Sequence, residues 1–493
     1  MKLHPYSLVF RALRGAQIGA VALPIVGIGL AAGLPVDGVL IPALVAGVVI
    51  GVGFQVLYYH RFEYELTTDT LDIDSGVFSR REREIPVRRI QNVDISRGIA
   101  QRALAIAAVD VETAGGGETE ASLKYVSYEE AKRLQRTIQR RKRGETDDSA
   151  AVDEHAERED LLFELSVRNL VLLGLVAPDL RALVPVLLFV APTFGLAIPD
   201  VLTESGAVAA SPRGAALAVV SWVVSGVVTA ARYYDFRLTH VDDELRYERG
   251  LFSRYDGSIP LDKIQQIDIT ENVLMRRFGY AALAIETAGY TASEGSGGSE
   301  AAIPLAERKR VFDLAREIEG FDFDDPEFIR PPRRARRRYA VRYALAVVVV
   351  TGILYAANTV FAVRALRFWY LLLFAFVLVP VAAHYKWLHR GYDMKTEHVL
   401  TRNGFWRRTI SVVPAYRVQT IIQTATVSQR WRTLASVEID TAGSLSVTDR
   451  SARAVDFDAG EITELRGIVR KRLHESLVAR RQHPNEAPDT QSE

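Results

Sequence analysis

The chain of 493 residues is longer than one hydrophobic core usually supports, so several domains are expected. Its 61 basic and 60 acidic residues nearly cancel, which removes the general electrostatic basis for binding nucleic acid. The absence of cysteine excludes disulfides, thiolate zinc sites and thiol nucleophiles.

Three pairs of apolar segments are long enough to cross a bilayer as helices, which requires about 20 residues each. A short polar turn separates the members of the first pair, and this predicts helical hairpins. An amphipathic segment at 161–176 precedes the second pair and is expected to be an interfacial helix. The six predicted spans are 16–34, 39–59, 182–202, 215–231, 339–363 and 368–386.

Basic residues next to the spans predict the orientation of the protein. The first two hairpin tips carry acidic residues, whereas Arg364 and Arg367 lie at the third tip and oppose the trend. We therefore expect a multi-pass protein of the cell membrane with its polar domains in the cytoplasm. The strongest basic run lies immediately before the fifth span and contains Arg333, Arg334, Arg336, Arg337 and Arg338.

A motif with fixed spacing occurs once after each predicted hairpin. In every instance a glycine lies ten positions before a proline, and that proline lies five positions before a glutamine and 27 before a threonine. This constant register indicates one domain repeated three times. The motif positions, interpreted mainly as structural, are Gly76, Pro86, Gln91, Thr113, Gly250, Pro260, Gln265, Thr287, Gly404, Pro414, Gln419 and Thr441.

Local patterns within each repeat predict several short strands followed by one helix. Apolar and polar residues alternate in short segments, as in half-buried strands, and the motif glycine suits a hairpin turn with positive φ. Amphipathic helices are predicted at 128–141, 305–319 and 461–479. Such a domain is a small β-barrel or sandwich with a helical cap.

The alternation of hairpins and domains, the Gly-x9-Pro-x4-Gln spacing and a repeated Glu/Asp-Thr-Ala-Gly phrase resemble the bacterial-type pleckstrin-homology family (bPH2, DUF304). Its membrane-bound, three-repeat branch, the YdbT-like proteins, is the most similar. The resemblance implies a mixed membrane protein in which three transmembrane hairpins, six helices in all, alternate with three pleckstrin-homology-like β-barrels, each capped by a C-terminal helix. It also suggests a single-domain relative as partner and a role in envelope stress or resistance to antimicrobial peptides.

These observations divide the chain into nine segments. The segments are hairpin 1 (1–59), domain 1 (60–143), an acidic linker (144–160), the interfacial helix with hairpin 2 (161–232), domain 2 (233–320), a linker with the basic run (321–338), hairpin 3 (339–389), domain 3 (390–480) and a disordered tail (481–493).

No arrangement typical of catalysis or metal binding is present in the sequence. The nine histidines are scattered without an HExxH pattern, and paired acids such as Asp242 and Asp243 are typical of solvated loops. We predict a protein that is not an enzyme and has no catalytic residue, metal or cofactor. The predicted spans contain almost no ionisable residue, which makes a transporter component the least favoured function.

Two hypotheses remain for the three domains. In the first, they assemble at the membrane with a protein partner or with further copies of the chain, through a sheet edge or barrel face. In the second, they bind anionic lipid headgroups, although Asp262 stands where the first repeat has Arg88. We favour assembly. The basic residues that would serve either a lipid or a partner are Arg80, Arg81, Arg83, Arg88, Arg89, Lys263 and Arg417.

An arginine also recurs at one position of every repeat, as Arg102, Arg276 and Arg430. Local structural roles are favoured for these arginines and for the repeated glutamines. The alternative is a binding edge shared by all three repeats.

Overall fold

The computed structural model divides the chain into two compact units. The first comprises Met1–Glu159 with Arg246–Ser258, and the second comprises Asp160–Leu245 with Ile259–Glu493. The residues that the structure describes are 2–13, 15–17, 36–113, 121–142, 160–178, 212–287, 300–319, 326–361, 364–395, 397–442 and 451–482.

The first repeat consists of two antiparallel three-stranded meanders and a closing helix. A 3-10 turn, Val87–Arg89, connects the meanders. The strands are β1 (Glu63–Leu66), β2 (Thr70–Ser75), β3 (Arg81–Pro86), β4 (Ile90–Gly98), β5 (Ile106–Thr113) and β6 (Ala121–Ser127). The helices are α1 (Val36–Arg61) before the repeat, α2 (Ile99–Ala103) between β4 and β5, and α3 (Tyr128–Lys142) at its end.

The core of the first unit lies between the two meanders and α3. Alternation along β2 places Leu71 and Ile73 inside, where they join Val109 and Leu123 from the second meander. Ile138 covers this core from one face of α3. The buried apolar surface is the main contribution to the stability of the repeat.

The second and third repeats have the same order of six strands as the first, and an additional strand, β7 (Asp160–Glu164), pairs with the first strand of the second repeat. Their strands are β8 (Arg237–Val241), β9 (Glu244–Arg249), β10 (Ser253–Pro260), β11 (Ile264–Asn272), β12 (Tyr280–Thr287), β13 (Glu300–Glu307), β14 (Gly391–Met394), β15 (His398–Asn403), β16 (Arg407–Pro414), β17 (Val418–Thr424), β18 (Leu434–Thr441) and β19 (Ala452–Asp458). Their helices are α4 (Val167–Val176), α5 (Pro212–Arg232), α6 (Val273–Phe278), α7 (Arg308–Glu319), α8 (Arg333–Phe361), α9 (Ala375–Leu388), α10 (Val427–Arg430) and α11 (Ala459–Gln482).

Two sheets of the second unit include strands of the third repeat. One has six strands in the order β13-β12-β11-β16-β15-β14, and the other has three strands in the order β17-β18-β19. Phe457 and Ile462 are fully buried in the core of the third repeat, where α11 packs against the sheet.

Four helices of the described residues are long and apolar enough to cross a membrane. They are Leu44–Arg61, Gly214–Arg232, Arg333–Val360 and Trp369–Leu388, and they correspond to four of the six predicted spans. The predicted span 182–202 lies outside the described residues, as does all of 16–34 beyond residue 17. The acidic linker up to residue 159 and the tail from 483 also lie outside them.

Four predicted boundaries differ from the structure, one of them at the last helix, which was predicted at 461–479 and spans Ala459–Gln482, so that it includes the first two residues of the predicted tail. The interfacial helix predicted from residue 161 is wrong for its first part, because Asp160–Glu164 is a strand and Ser166 caps a helix that begins at Val167. The basic run predicted as linker forms the first turns of α8. The helix predicted from residue 305 begins at Arg308, because β13 continues through Glu307.

Each motif glycine occupies the turn between the second and third strands of its repeat. Gly404 has φ +96, and a Cβ atom there would lie 1.8 Å from the carbonyl oxygen of Arg407. We expect Gly404→Ala to lower the free energy of unfolding by roughly 2–3 kcal/mol, because backbone strain and a clash add together. Thermal unfolding in detergent measures this effect. Gly467→Ala is the control, since nothing lies within 4 Å of that site on α11; equal losses at the two sites would contradict the prediction.

The buried His398 makes the stability of the third repeat dependent on pH. The side chain is 3% exposed, and burial lowers its pKa to about 3. Between pH 6.5 and about 3 the unfolded chain therefore binds a proton that the folded chain does not, so stability falls as pH falls, by up to about 1.4 kcal/mol per pH unit. Denaturant titrations at pH 7 and pH 5 should show a smaller difference for His398→Asn. The exposed His474 provides the control His474→Asn, which should keep the wild-type slope.

Candidate assembly interface

Two repeat junctions are formed by pairing of edge strands. In the first unit, β10 of the second repeat pairs antiparallel with β4 of the first, and Ser253 lies opposite Gly98. In the second unit, β16 of the third repeat pairs antiparallel with β11 of the second, and Arg407 lies opposite Asn272. The third strand of one repeat therefore extends the second meander of the preceding repeat.

The two junctions have the same register. Ser253 and Arg407 each lie seven positions before the proline of their repeat, and Gly98 and Asn272 each lie twelve positions after theirs. Since a slip of one residue would turn every side chain to the opposite face, this agreement indicates that the pairing is specified by the repeat itself.

Buried polar side chains contribute to the register. At the second junction Ser411 Oγ donates to Asp268 Oδ1 over 2.6 Å, and Gln266 Nε2 donates to the same oxygen over 2.9 Å. At the first, Ser258 Oγ donates to Asn92 Oδ1 over 3.3 Å. A misaligned pairing would remove the hydrogen bonds of the buried Ser411 and Ser258 to the preceding repeat, which is costly unless they are replaced.

The recurrent arginine forms a hydrogen bond across both junctions. It lies on the short helix that follows the junction strand of the preceding repeat, α2 after β4 and α6 after β11. Arg102 Nη1 donates to the carbonyl oxygen of Leu251, and Arg276 Nη2 donates to that of Phe405, each over 2.8 Å. Leu251 and Phe405 directly follow the motif glycine of the next repeat. The arginines therefore bind the turn of the following repeat, whereas the sequence favoured a role within their own.

Buried carboxylates add charge pairs to the junctions. Glu271 is 1% exposed and pairs with Arg308 over 2.9 Å and with Arg408. At the first junction the 5% exposed Asp256 lies 3.6 Å from Lys132. Burial raises the pKa of Asp256, and the charge of Lys132 acts in the opposite direction. Neither acid was identified from the sequence, because pairing partners of different repeats are distant along the chain.

The basic residues of the first repeat do not form a uniformly positive surface. Arg80 pairs with Glu82 of β3 over 3.1 Å, and Arg81 and Arg83 are exposed on β3. An open depression of about 360 Å³ beside this strand is lined by more acidic than basic side chains. The lining residues are Glu63, Tyr64, Glu65, Asp72, Ile73, Asp74, Arg80, Glu82, Arg83 and Glu84. Such a lining disfavours an anionic headgroup at this place.

The other four basic candidates are separated into two places. Arg88 and Arg89 are exposed on the 3-10 turn of the first repeat. Lys263 Nζ lies 2.8 Å from Asp262, and Arg417 Nη2 donates to the carbonyl oxygen of Asp262 over 2.6 Å. Lys263 and Arg417 thus both contact Asp262.

The juxtamembrane run splits into two sets on α8. Arg334 and Arg338 face the third repeat, where they pair with Asp458 and Asp456. The remaining three are exposed and lie on the first two turns of the helix: Arg333, Arg336 and Arg337. Spacing by four residues places the first set on one side of the helix, so two of the five arginines anchor the hairpin to its domain.

Asp456 is the centre of that anchor and was not identified from the sequence. Its carboxylate is fully buried and accepts hydrogen bonds from Arg338, from Tyr339 Oη over 2.7 Å, from Arg390 Nη1 over 2.8 Å and from Gln429 Nε2 over 2.7 Å. The ring of four donors compensates the desolvation of the charge.

The motif prolines and threonines occupy corresponding places in their own repeats. Each proline precedes a 3-10 turn, with φ of −60, −65 and −63 at Pro86, Pro260 and Pro414. Thr113 and Thr441 are buried, and Thr287 is half-buried.

The three motif glutamines differ from one another. Gln265 is buried and donates to the carbonyl oxygen of Lys263 over 3.2 Å, whereas Gln419 is exposed. The side chain of Gln91 is outside the described part of the structure. The burial of this position therefore differs between the second repeat and the third.

Comparison with known proteins agrees with the repeat pattern. A profile of the bacterial PH domain matches residues 17–142, 184–321 and 340–473. The UPF0699 transmembrane protein YdbT of Bacillus subtilis (strain 168) is 27% identical over 311 residues, which cover 59% of this chain and 63% of that protein. The chain therefore matches less than two thirds of the length of that relative. No solved structure matches the chain.

Proposed function

The chain is a membrane protein of the bacterial PH domain family, and we propose from this premise that it acts as a non-catalytic scaffold at the membrane. Its PH-like domains would assemble proteins on the cytoplasmic face. The observation that carries the proposal is the edge pairing of successive repeats, made twice in one register. The domains already bind one another through sheet edges, which is a common mode of protein recognition.

Purification from native membranes in gentle detergent tests the scaffold. We expect a membrane protein to co-purify in a fixed ratio and to be lost when the third domain, from residue 390 onward, is removed. A single-domain relative is one candidate partner, and a role in envelope stress or resistance to antimicrobial peptides is one candidate process. Recovery of the chain with no protein partner and no self-association would contradict the proposal.

A multi-pass topology with cytoplasmic domains is part of the proposal, and the lack of cysteine makes it directly testable. In intact cells, Glu204→Cys at the second predicted tip should react with an impermeant maleimide. Glu129→Cys on α3 and Glu464→Cys on α11 should react only after permeabilisation. Ala365→Cys tests the third tip, where the arginines oppose this orientation. Labelling of Glu129→Cys in intact cells would overturn the orientation.

Recognition of anionic lipid is the second candidate, and the exposed arginines on the first turns of α8 favour it. Each juxtamembrane cation gains about 1 kcal/mol at an anionic surface. Lipid analysis of the same purification separates the two functions. Enrichment of anionic lipid without a protein partner, abolished by joint replacement of Arg333, Arg336 and Arg337 with glutamine, would support recognition of lipid instead.

A further inference from the structure

Two strands of the chain correspond to paired junction strands but have no junction partner in the described residues. β3 of the first repeat corresponds to β10 and β16, yet it is the outer strand of a three-stranded sheet. β17 of the third repeat corresponds to β4 and β11, and it is also an outer strand. The chain thus carries one half of a junction at its first repeat and the complementary half at its third.

Exposure agrees with this assignment on the side of β3. Arg81, Glu82, Arg83 and Glu84 are all exposed. In the paired strands, the residues that correspond to Glu82, Arg83 and Glu84 are buried: Asp256–Ser258 and Ile410–Val412. The residues that correspond to Arg81 are not buried, since Tyr255 is exposed and Thr409 is half-buried. The surface that the junction covers in the later repeats is therefore uncovered in the first.

The same contrast holds on the side of β17. Gln419, Thr420, Ile422 and Thr424 are exposed, whereas every residue of β11 before Asn272 is buried. β17 also contains neither a charged residue nor a proline, which are the devices that usually protect an edge strand from pairing. Such an edge favours the addition of another strand.

The recurrent arginine of the third repeat, Arg430, lies at the position from which Arg102 and Arg276 form their hydrogen bonds across the internal junctions. Arg430 stands 16 positions after its proline, as Arg102 and Arg276 do, and it is exposed at the end of α10. The carbonyl group that corresponds to those of Leu251 and Phe405 belongs to Val77 in the first repeat. A third junction would let Arg430 donate to that carbonyl group.

We propose that β17 of one molecule pairs with β3 of a second molecule in the register of the internal junctions, so that the chains associate head to tail. The inference rests on the scaffold function proposed above and names one partner, a second copy of this chain. In this register Gln423 lies opposite Glu82, Ile422 opposite Arg83, and no two like charges face each other. Because the two faces differ, the contact is heterologous and generates rings or open filaments.

Site-directed disulfide formation between full-length molecules in membranes tests the register. One molecule carries Glu82→Cys and a differently tagged molecule carries Gln423→Cys, and no other thiol is present. Directly opposed strand residues lie within the distance that a disulfide spans. We expect a mixed dimer on oxidation. Controls are two molecules with Glu82→Cys, and Glu84→Cys combined with Gln423→Cys, for which we expect little product.

A charge exchange tests the contact without relying on loss of function alone. Ile422 is 41% exposed, so Ile422→Lys leaves the core intact. It places a cation opposite Arg83 and should abolish the mixed dimer. Arg83→Glu in the molecule that carries Glu82→Cys should restore it. Arg430→Ala should reduce the dimer, and a chain with both cysteines should give a ladder of higher oligomers.

The outcomes distinguish this inference from the scaffold function. No mixed dimer, or a crosslink confined to one molecule in the double-cysteine chain, overturns head-to-tail pairing. If a different membrane protein still co-purifies in that case, the scaffold proposal stands; if nothing does, both fail. Suppression of the mixed dimer by a co-expressed single-domain relative would show that the relative occupies the edge, and it would also overturn the second copy as partner.

Discussion

Replacing Asp456 with asparagine is expected to lower the free energy of unfolding of the third repeat by about 3–5 kcal/mol, which is typical when one member of a buried ion pair is removed. The carboxylate is fully buried between Arg338 and Arg390, with Tyr339 and Gln429 completing its hydrogen bonds. An amide would leave two buried guanidinium groups without an anion. Because Arg338 and Tyr339 belong to α8 and Asp456 to β19, the loss should also loosen the hairpin from its domain.

Thermal unfolding in detergent, followed by tryptophan fluorescence, measures this effect, and limited proteolysis shows whether α8 separates first. Asp458→Asn is the matched control, since Asp458 pairs with Arg334 two residues further along the same strand, where its side chain is 46% exposed. An exposed pair contributes less than about 1 kcal/mol. Similar losses for the two variants would show that burial at Asp456 is not what makes its charge important.

Much of the architecture followed from periodicity and spacing in the sequence. The constant distance from Gly76 to Pro86 and onward predicted three repeats, and the alternation of apolar residues predicted strands such as β2. These features are local, because a hairpin turn, a strand and a helix cap are each determined by a few neighbouring residues. Boundaries were wrong where two local patterns overlap, as at 160–176, where strand alternation leads directly into an apolar helix.

The candidate interface could be predicted only in part. The recurrence of Arg102 and Arg276 was visible, but their acceptors, Leu251 and Phe405, lie more than a hundred residues away in other repeats. The repeat pattern did not indicate a role for Asp456, because the corresponding residue of the first repeat is Tyr125, which carries no carboxylate. The two residues have only a positive φ in common. Pairing between repeats depends on which edges meet, and no local pattern specifies that.

The other large expected effect concerns Glu271, at the junction of the second and third repeats. Glu271→Gln should destabilise the second unit by about 3–5 kcal/mol. In the described structure Glu271 carries the one negative charge that pairs with both Arg308 and Arg408, and the substitution removes it. Arg276, whose pKa is lowered by burial and by the charge of Arg408, lies in the same group of cations. Without the carboxylate, repulsion among the three arginines would act directly on the pairing of β11 with β16.

The first junction provides a matched control within the same chain. Arg254 occupies the position that corresponds to Arg408, but its partner is Glu248 of its own repeat, at 2.6 Å, with a side chain that is 44% exposed. Glu248→Gln should therefore cost less than about 1 kcal/mol. Hydrogen exchange of the β11 and β16 amides distinguishes a weakened junction from a general loss of stability. Faster exchange confined to these two strands in Glu271→Gln is expected, because the carboxylate acts where the repeats join; uniform acceleration across the third repeat would instead assign Glu271 to the stability of the whole unit.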